Sequence, residues 1–430
     1  MQDDLNKVVF LLDHPSRDLL QSCLIGSQLN NEYSIDFQDG YFKPSGPSFF
    51  KRAKFNEKYI ISPSYNVTRT PNLKFRKEYN NAKLILLHSE QLLAPVAYFE
   101  KFNLDNLEEY INDVDLHLVW NMEFKKLLTF HGVPENKIKV VGNPKYDVLK
   151  MIARKNLTVK KGKILFISSF NAADYNDNEW GMYCKEYFLQ GHDDLNRSYK
   201  KIRDNFAKSI KAIEPYCKEN NKIIVIRKHP GESSAFYENL QSETVKISTE
   251  QELHDDLIDS EIVFTFSSSV VFESYILKIP TFSIEWSKLS SDLMQVPSEE
   301  YNWQKPDNIL DIVKNPSNYE TAIDNLLFEK YFNNIDVLAS STSADVLNEF
   351  IENNPSTKKR NYLLLFYGRG LNLVVKTFIN YLAILEPKLI FKFLYDRINV
   401  SYNNWINNDH FISEKEINDS KTKAKKLLQK

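Results

Sequence analysis

Residues 222–232 read KIIVIRKHPGE, and this stretch decides the fold. Ile223, Ile224, Val225 and Ile226 form a run too short for a helix and too continuous for a half-buried strand. It ends at Pro230-Gly231, which force a turn. A run of this kind, closing on a polar loop, is a strand buried on both faces, as in a parallel sheet.

Working outward, the same grammar recurs on both sides. Residues 163–168 (KILFIS), 245–247, 261–265 and 281–284 are strand-length apolar runs. They alternate with helical patterns at 198–219, at 250–257, and from Ser267-Ser268-Ser269 through Leu277. Upstream, residues 7–12 (KVVFLL), 59–62, 84–87, 114–119 (VDLHLV) and 137–141 (KIKVV) are strands. Between them lie an amphipathic stretch at 18–29 and a helix at 123–130 that ends at His131-Gly132. Such alternation predicts α/β architecture with parallel sheets covered on both faces. A basic, polar linker at 153–162 separates two such units. The expected domains are therefore residues 1–152, 153–345 and a helical, basic tail at 346–430. Beyond Pro316 helices are expected at 319–327 and 343–351. Residues 361–398 are apolar but broken by Arg369, Lys376, Glu386 and Lys388, and 371–385 is too short to span a bilayer, so a packed or interfacial helix is expected.

Composition excludes several classes. The chain has 430 residues and a formal net charge of −2. Only 11 are glycine, against an average usage of about 7%. Neither G-x-G-x-x-G nor G-x-x-x-x-G-K-[ST] occurs, which argues against P-loop, kinase and standard dinucleotide-binding sites. Any phosphate must be held by side chains. Three widely spaced cysteines (Cys23, Cys184, Cys217) imply neither a disulfide framework nor a zinc site. Acidic residues precede the short first apolar run, so no signal peptide is expected, and the protein is expected in the cytoplasm. Residues 356–430 carry 14 Lys/Arg and 6 Asp/Glu. This predicts attraction to an anionic membrane surface, peripheral on its inner face, or simply a solvated helix. Nucleic acid is not expected as a partner.

In open α/β sheets ligands bind beyond the carboxyl ends of the strands. The polar residues there are Ser168-Ser169-Phe170-Asn171, Arg227-Lys228-His229-Pro230 and Ser267-Ser268-Ser269 in the second half, with His88-Ser89-Glu90-Gln91 in the first. Serines opening a helix can meet an anion with hydroxyls and free N–H groups, or one of them can merely cap the helix. Arg227, Lys228 and His229 add positive charge or donors. Glu273 could accept ribose hydroxyls or face solvent. Glu90 could exchange a proton with an acceptor hydroxyl, or cap a helix. Asp174 and Asp177 follow the 163–168 strand, with Asp193 and Asp194 as alternatives. His254-Asp255-Asp256 is expected to be a solvated helix face. No D-x-D string stands at a strand end, so no required metal and no cofactor are expected.

The segments RKHPGE and FTFSSSVVFESYILKIPTF (264–282) resemble the carboxyl-terminal domain of bacterial GT-B glycosyltransferases, which have two facing Rossmann domains. The His-Pro dipeptide followed by serines is similar to the signature of sialyltransferases and of capsule and O-antigen Kdo transferases. The segment DVDLHLVWNMEFKKLLTFHGVPENKIKVVGNPKYDVL resembles the domain-closing part of surface-carbohydrate enzymes. The resemblance covers about residues 80–290. It implies a GT-B fold, here followed by the helical C-terminal extension read above, and donor-phosphate binding by His229, Ser267, Ser268 and Ser269. Arg227, Lys228, Pro230 and, through ribose hydroxyls, Glu273 complete the expected donor-binding set. Gln38-Asp39-Gly40 departs from the sialyltransferase acid motif. Retaining Kdo transferases imply a nucleophilic Asp, for which Asp174 is the candidate, with Glu90 and His229 as the other catalytic groups. The function so implied is transfer of an acidic sugar, Kdo first, from a CMP-activated donor to a lipid-linked or oligosaccharide acceptor. Teichoic-acid polymerases share similar His-Pro and Ser-Ser segments. A CDP-glycerol or CDP-ribitol phosphotransferase is therefore the alternative, followed by a UDP-sugar 2-epimerase. The latter lacks support at Leu12-Asp13-His14-Pro15, where the epimerase Gly-Thr-Arg-Pro string is missing.

Overall fold

The computed structural model describes residues 6–12, 15–39, 58–63, 77, 81–88, 111–154, 162–176, 178–179, 195–229, 231–250, 253–287, 300–332, 336–355 and 414–428. The apolar runs of the first half become strands β1 (Asn6–Leu12), β3 (Tyr59–Ser62), β4 (Lys83–Leu86), β5 (Leu116–Val119) and β6 (Ile138–Val140). Val8 to Phe10, Tyr59 to Ile61 and Leu84 to Leu86 are fully enclosed, as continuous apolar strands require. A further strand, β2 (Tyr33–Asp39), was not expected. Its sequence YSIDFQD alternates, and it lies at the sheet's edge, where one face meets solvent.

These six strands are parallel, in the order β2-β1-β3-β4-β5-β6. Helix α1 (Pro15–Gly26) links the first two, and α2 (Met122–Phe130) the last two. Asn121 caps α2 by accepting from the Phe124 N–H at 2.8 Å. The helix closes at His131-Gly132 as its sequence predicts. Gly132 takes a φ of 90°, while Val133 and Gly132 donate to Leu128 and Thr129. This is the paired hydrogen-bond ending that favours glycine.

The second half holds α3 (Asp147–Ala153), β7 (Lys163–Ile167), α4 (Leu195–Glu219), β8 (Ile223–Arg227), α5 (Ala235–Glu238) and β9 (Val245–Ile247). It continues with α6 (Leu253–Ile258), β10 (Ile262–Thr265), α7 (Val270–Ile276), β11 (Thr281–Ile284), β12 (Trp303–Gln304), α8 (Ile309–Lys314) and α9 (Asn325–Phe332). The sheet is parallel, in the order β12-β11-β10-β7-β8-β9. Counted within the domain, that is the 3-2-1-4-5-6 order of a Rossmann sheet. Helix α4 buries Ile202, Phe206, Ile210, Ile213 and Cys217, a stripe at helical spacing, against it. Phe206 meets Phe166, Phe170 and Trp286 edge to face. Burying each such ring contributes roughly 1.5–3 kcal/mol. The helix expected at 319–327 starts only at Asn325. Before it Ala322 is drawn into the core, its N–H donating to Thr281 at 2.7 Å.

The chain divides into two compact units, residues 1–90 with 100–145 and 339–430, and residues 91–99 with 146–338. The divisions at 146 and 339 lie slightly upstream of the boundaries drawn from sequence. Two helices of the C-terminal region, α10 (Ala339–Asn353) and α11 (Glu414–Leu428), both lie against α1 of the first unit. Gln28 bonds Ser340 and Ser341, and the Tyr59 hydroxyl donates to the carbonyl of Asn354 at 3.0 Å. In α11, Ala424 is fully enclosed and Lys421 stands over the Phe37 ring. The apolar segment 361–398 lies outside the described residues. No helix among the described residues is long and apolar enough to cross a membrane.

Candidate active site

In the second sheet the chain runs β7, β8, β9 to one side, then crosses back to place β10 on the other side of β7. The crevice at the carboxyl ends of β7 and β10 is the topological switch point, where open α/β sheets hold ligands. Phe166 of β7 pairs with Phe264 of β10. Ser169 and Ser267 each lie three residues beyond that pair. On the other side Ile167 pairs with Arg227, and the His229 N–H donates to the Ser168 hydroxyl at 3.3 Å. Ser267, Ser169 and His229 thus stand in a row on three adjacent strand ends.

Two of these groups have an unmet need. The hydroxyls of Ser169 and Ser267, and of Thr265 one step below, are shielded from water with no hydrogen-bond partner among the described residues. Unmade bonds of this kind cost about 1–3 kcal/mol each and call for a ligand or a water. Ser268 accepts from the Val270 N–H at 3.3 Å, which is a capping role, and Ser269 occupies the residue before α7.

His229 has a defined tautomer. The Gly231 N–H donates to its Nδ1 at 3.1 Å, so the ring proton sits on Nε2. Partial burial of the ring lowers its pKa although the residue as a whole is exposed; Glu232 opposes this and Lys228 assists it. The imidazole is therefore neutral at pH 7 and offers one N–H. Lys228 is turned back, donating to the Glu232 carbonyl at 2.9 Å. Pro230 lies outside the described residues.

Glu232 holds this turn, a role that sequence reading missed. It is 4% exposed. Its carboxylate accepts from the Ser168 hydroxyl at 2.6 Å, and from the Tyr237 hydroxyl and the Phe170 N–H. Burial, followed by the Glu232 charge, pushes the Tyr237 phenol well above its ordinary value, so Tyr237 stays a donor. Glu232 thereby ties the end of β8 to the end of β7. The acid was visible in KHPGE; a polar turn simply gave no sign that it would be enclosed.

Asp174 has both oxygens engaged, one by Arg203 and the other by the Ser233 N–H at 2.7 Å. It braces the same turn, an arrangement unlike that of an available nucleophile. Arg227 donates to Asp256 at 2.6 Å, and Lys163 to the other oxygen at 2.8 Å. The expected solvated face at Asp256 is thus corrected: the residue is 1% exposed. Burial works to raise its pKa, but hydrogen bonds from Lys163, Ser248 and Arg227 outweigh it and hold the carboxyl below its ordinary value. Arg227 is accordingly committed beneath the site. Glu273 is buried and does not face solvent; its charge is the second cause, after burial, that pushes Tyr146 well above its ordinary pKa. Glu90, Asp177, Asp193 and Asp194 lie outside the described residues. Among the described residues, no group of three or more His, Cys, Asp or Glu is placed to hold a metal ion.

In the first unit His88 follows β4 with a φ of 51°, a left-handed conformation rare outside glycine. Its Nε2 lies 3.0 Å from Nδ1 of His117 on β5. Burial lowers His88 to about 3. It also drives His117 well below its ordinary value, helped by His88 and Lys137. The unfolded chain takes up these protons near pH 6.5, and the folded chain only below that. Stability is therefore full above about pH 6.5 and is lost as pH falls towards 3, by about 1.4 kcal/mol per pH unit per histidine. Urea titrations between pH 7.5 and 5 should show this slope, and His117→Gln should flatten it. Equal slopes for both proteins would refute the assignment.

Solved structures with similar folds are UDP-GlcNAc 2-epimerases. That of Neisseria meningitidis, bound to UDP-GlcNAc, has 13% identity and a TM-score of 0.51, covering 81% of this chain and all of its own. That of Methanocaldococcus jannaschii has 15% identity, the same TM-score and the same coverage. The wall teichoic acid polymerase TagF is similar at 15% identity and a TM-score of 0.48, covering 82% of this chain and 91% of its own. A search of curated proteins gives no match. The fold is that of GT-B enzymes, two Rossmann-like parallel-sheet domains with a helical C-terminal region. A family model, CDP-Glycerol:Poly(glycerophosphate) glycerophosphotransferase, matches residues 29–290. This overturns the expected transfer of Kdo from a CMP-sugar, and with it the lipopolysaccharide and O-antigen reading. The nucleophile assigned to Asp174 belonged to that sugar chemistry. On a match spanning more than half its length, the chain belongs to the CDP-glycerol:poly(glycerophosphate) glycerophosphotransferase family.

Proposed function

We propose that the protein transfers glycerol phosphate from CDP-glycerol to a hydroxyl of a growing polyol-phosphate polymer. One observation carries the reading within this family: Ser267, Ser169 and His229 align on adjacent strand ends at the switch point. Two shielded hydroxyls and one fixed N–H supply side-chain donors for a diphosphate, in place of the backbone of a glycine loop. In the reaction the acceptor oxygen attacks the phosphorus that bears glycerol. The bond to the bridging oxygen breaks, CMP leaves with that oxygen, and the acceptor's proton passes to solvent or a base. The Nε2–H of His229 donates to the diphosphate and offsets the charge that grows on departing CMP. Its own proton is not transferred, and Nδ1 already accepts from Gly231, which leaves the ring no basic nitrogen. The outward face of α11 carries Lys415, Lys423, Lys425 and Lys426. They would draw the enzyme towards an anionic surface on which a polymer primer is anchored.

Thermal shift with CDP-glycerol, CMP, CMP-Kdo and UDP-GlcNAc tests the donor. At a hundredfold excess over Kd, CDP-glycerol should stabilise the fold by about 2.7 kcal/mol. CMP release should match phosphodiester formation one to one. Stabilisation by UDP-GlcNAc alone, or turnover of CMP-Kdo, would sink the reading.

A further inference from the structure

The second unit contains a cavity of about 630 Å³ that has no part in the site above. It reaches the start of β11, where Thr281 lines it, and so the opposite end of the strands from the switch-point serines. Its volume is that of a small-molecule site. Val271, Ile276, Ile279, Ala322 and Ile323 give it an aliphatic floor. Among the described residues, three cations, Lys150, Arg154 and Lys278, line it, against one carboxylate, Asp336.

Each cation is placed by the fold. Lys150 on α3 is only 5% exposed, and its ammonium donates to the Val337 carbonyl at 2.7 Å. Burial lowers its pKa, with Arg154 adding to the effect and Asp147 and Asp336 opposing it. The guanidinium of Arg154 is held at 2.6 Å on the Asp336 carbonyl. Lys278 ends α7 with a φ of 58°, where its N–H and that of Ile279 close the helix onto Tyr275 and Ser274. Glycine is usual in that conformation. A side chain costs roughly 1–2 kcal/mol there, and this residue lines the cavity. The hydroxyls of Thr281 and Thr321 donate to the carbonyls of Ile279 and Ile323, so towards a ligand they act as acceptors.

We propose that this cavity binds an anionic amphiphile, its phosphate between Arg154 and Lys278 and its aliphatic part on the floor. A bare anion would leave the apolar floor empty, and a neutral alkane would make no use of the cationic side chains that line it. The same chemistry is offered by a lipid headgroup with its first methylenes and by a free alkyl phosphate. The site is separate from the donor site, so its failure would leave the proposed reaction standing.

Calorimetric titration of the full chain, carrying His229→Ala to weaken the donor site, tests this with hexyl phosphate, inorganic phosphate and hexyl glucoside. Hexyl phosphate should bind at least tenfold more tightly than either control. The double change Arg154→Gln and Lys278→Gln, at exposed positions, should weaken it at least tenfold without lowering the melting temperature. Thr321→Trp, at the exposed mouth, should block it. Soluble dihexanoyl phosphatidylglycerol binding more tightly than hexyl phosphate would identify a lipid source, and the reverse a free alkyl phosphate. Equal binding of inorganic phosphate, equal binding of hexyl glucoside, or indifference to all three changes would each overturn the proposal.

Discussion

His229→Ala is expected to lower the rate of CMP release from CDP-glycerol by about 10²–10³, the loss typical when one fixed donor to a charge-developing oxygen is removed. The size follows from the ring's geometry. Gly231 takes Nδ1, so a single N–H remains, and no rotation of the ring restores a donor while that bond persists. Partial burial lowers its pKa, which favours the neutral ring at pH 7. His229→Gln, which can present an amide N–H at similar reach, should recover part of the rate. Saturating-donor kinetics with both variants, alongside melting curves, checks this. An alanine variant within threefold of the parent rate would remove His229 from the mechanism.

Glu232→Ala should cost about 3–5 kcal/mol of stability in urea titrations, as loss of one member of a buried polar network does. It would strand the Ser168 hydroxyl, the Tyr237 hydroxyl and the Phe170 N–H together. Glu232→Gln separates charge from connectivity. Hydroxyls can reverse and accept from an amide, whereas the backbone N–H still finds the amide oxygen, so about 1–2 kcal/mol should be lost. A Gln variant as damaged as the Ala variant would show that the charge itself, rather than the bonds, holds the turn. Turnover should fall in the alanine variant even below its unfolding range, because His229 and Glu232 share one turn.

Most strands were legible because burial on both faces leaves an unbroken apolar run, as at Val8 to Phe10. The run Ile223 to Ile226 also marked a strand, but one with Ile223 exposed and Val225 only half-buried, so its burial on both faces was not borne out. The switch-point serines and His229 were legible because they follow such runs directly. Strand β2 escaped because an edge strand alternates and looks polar. Asp256 and Glu232 escaped for a different reason. Each is a carboxylate in a polar stretch, and its burial depends on partners such as Lys163 and Tyr237, supplied by other strands and helices. Donor class was beyond the reach of the motifs: a His-Pro turn and a serine cluster, read as phosphate-binding, suit a CMP-sugar and a CDP-alcohol alike.

The attachment of α10 and α11 to α1 has a consequence for synthesis. Domains usually fold in the order in which they leave the ribosome. Here everything the second sheet requires has been made once residue 338 has emerged. The first domain must then wait, with the face of α1 that receives these helices uncovered, until residues 339–353 and 414–428 arrive. The later-made domain can be finished before the earlier one, and a nascent chain halted at residue 338 would leave that face of α1 uncovered.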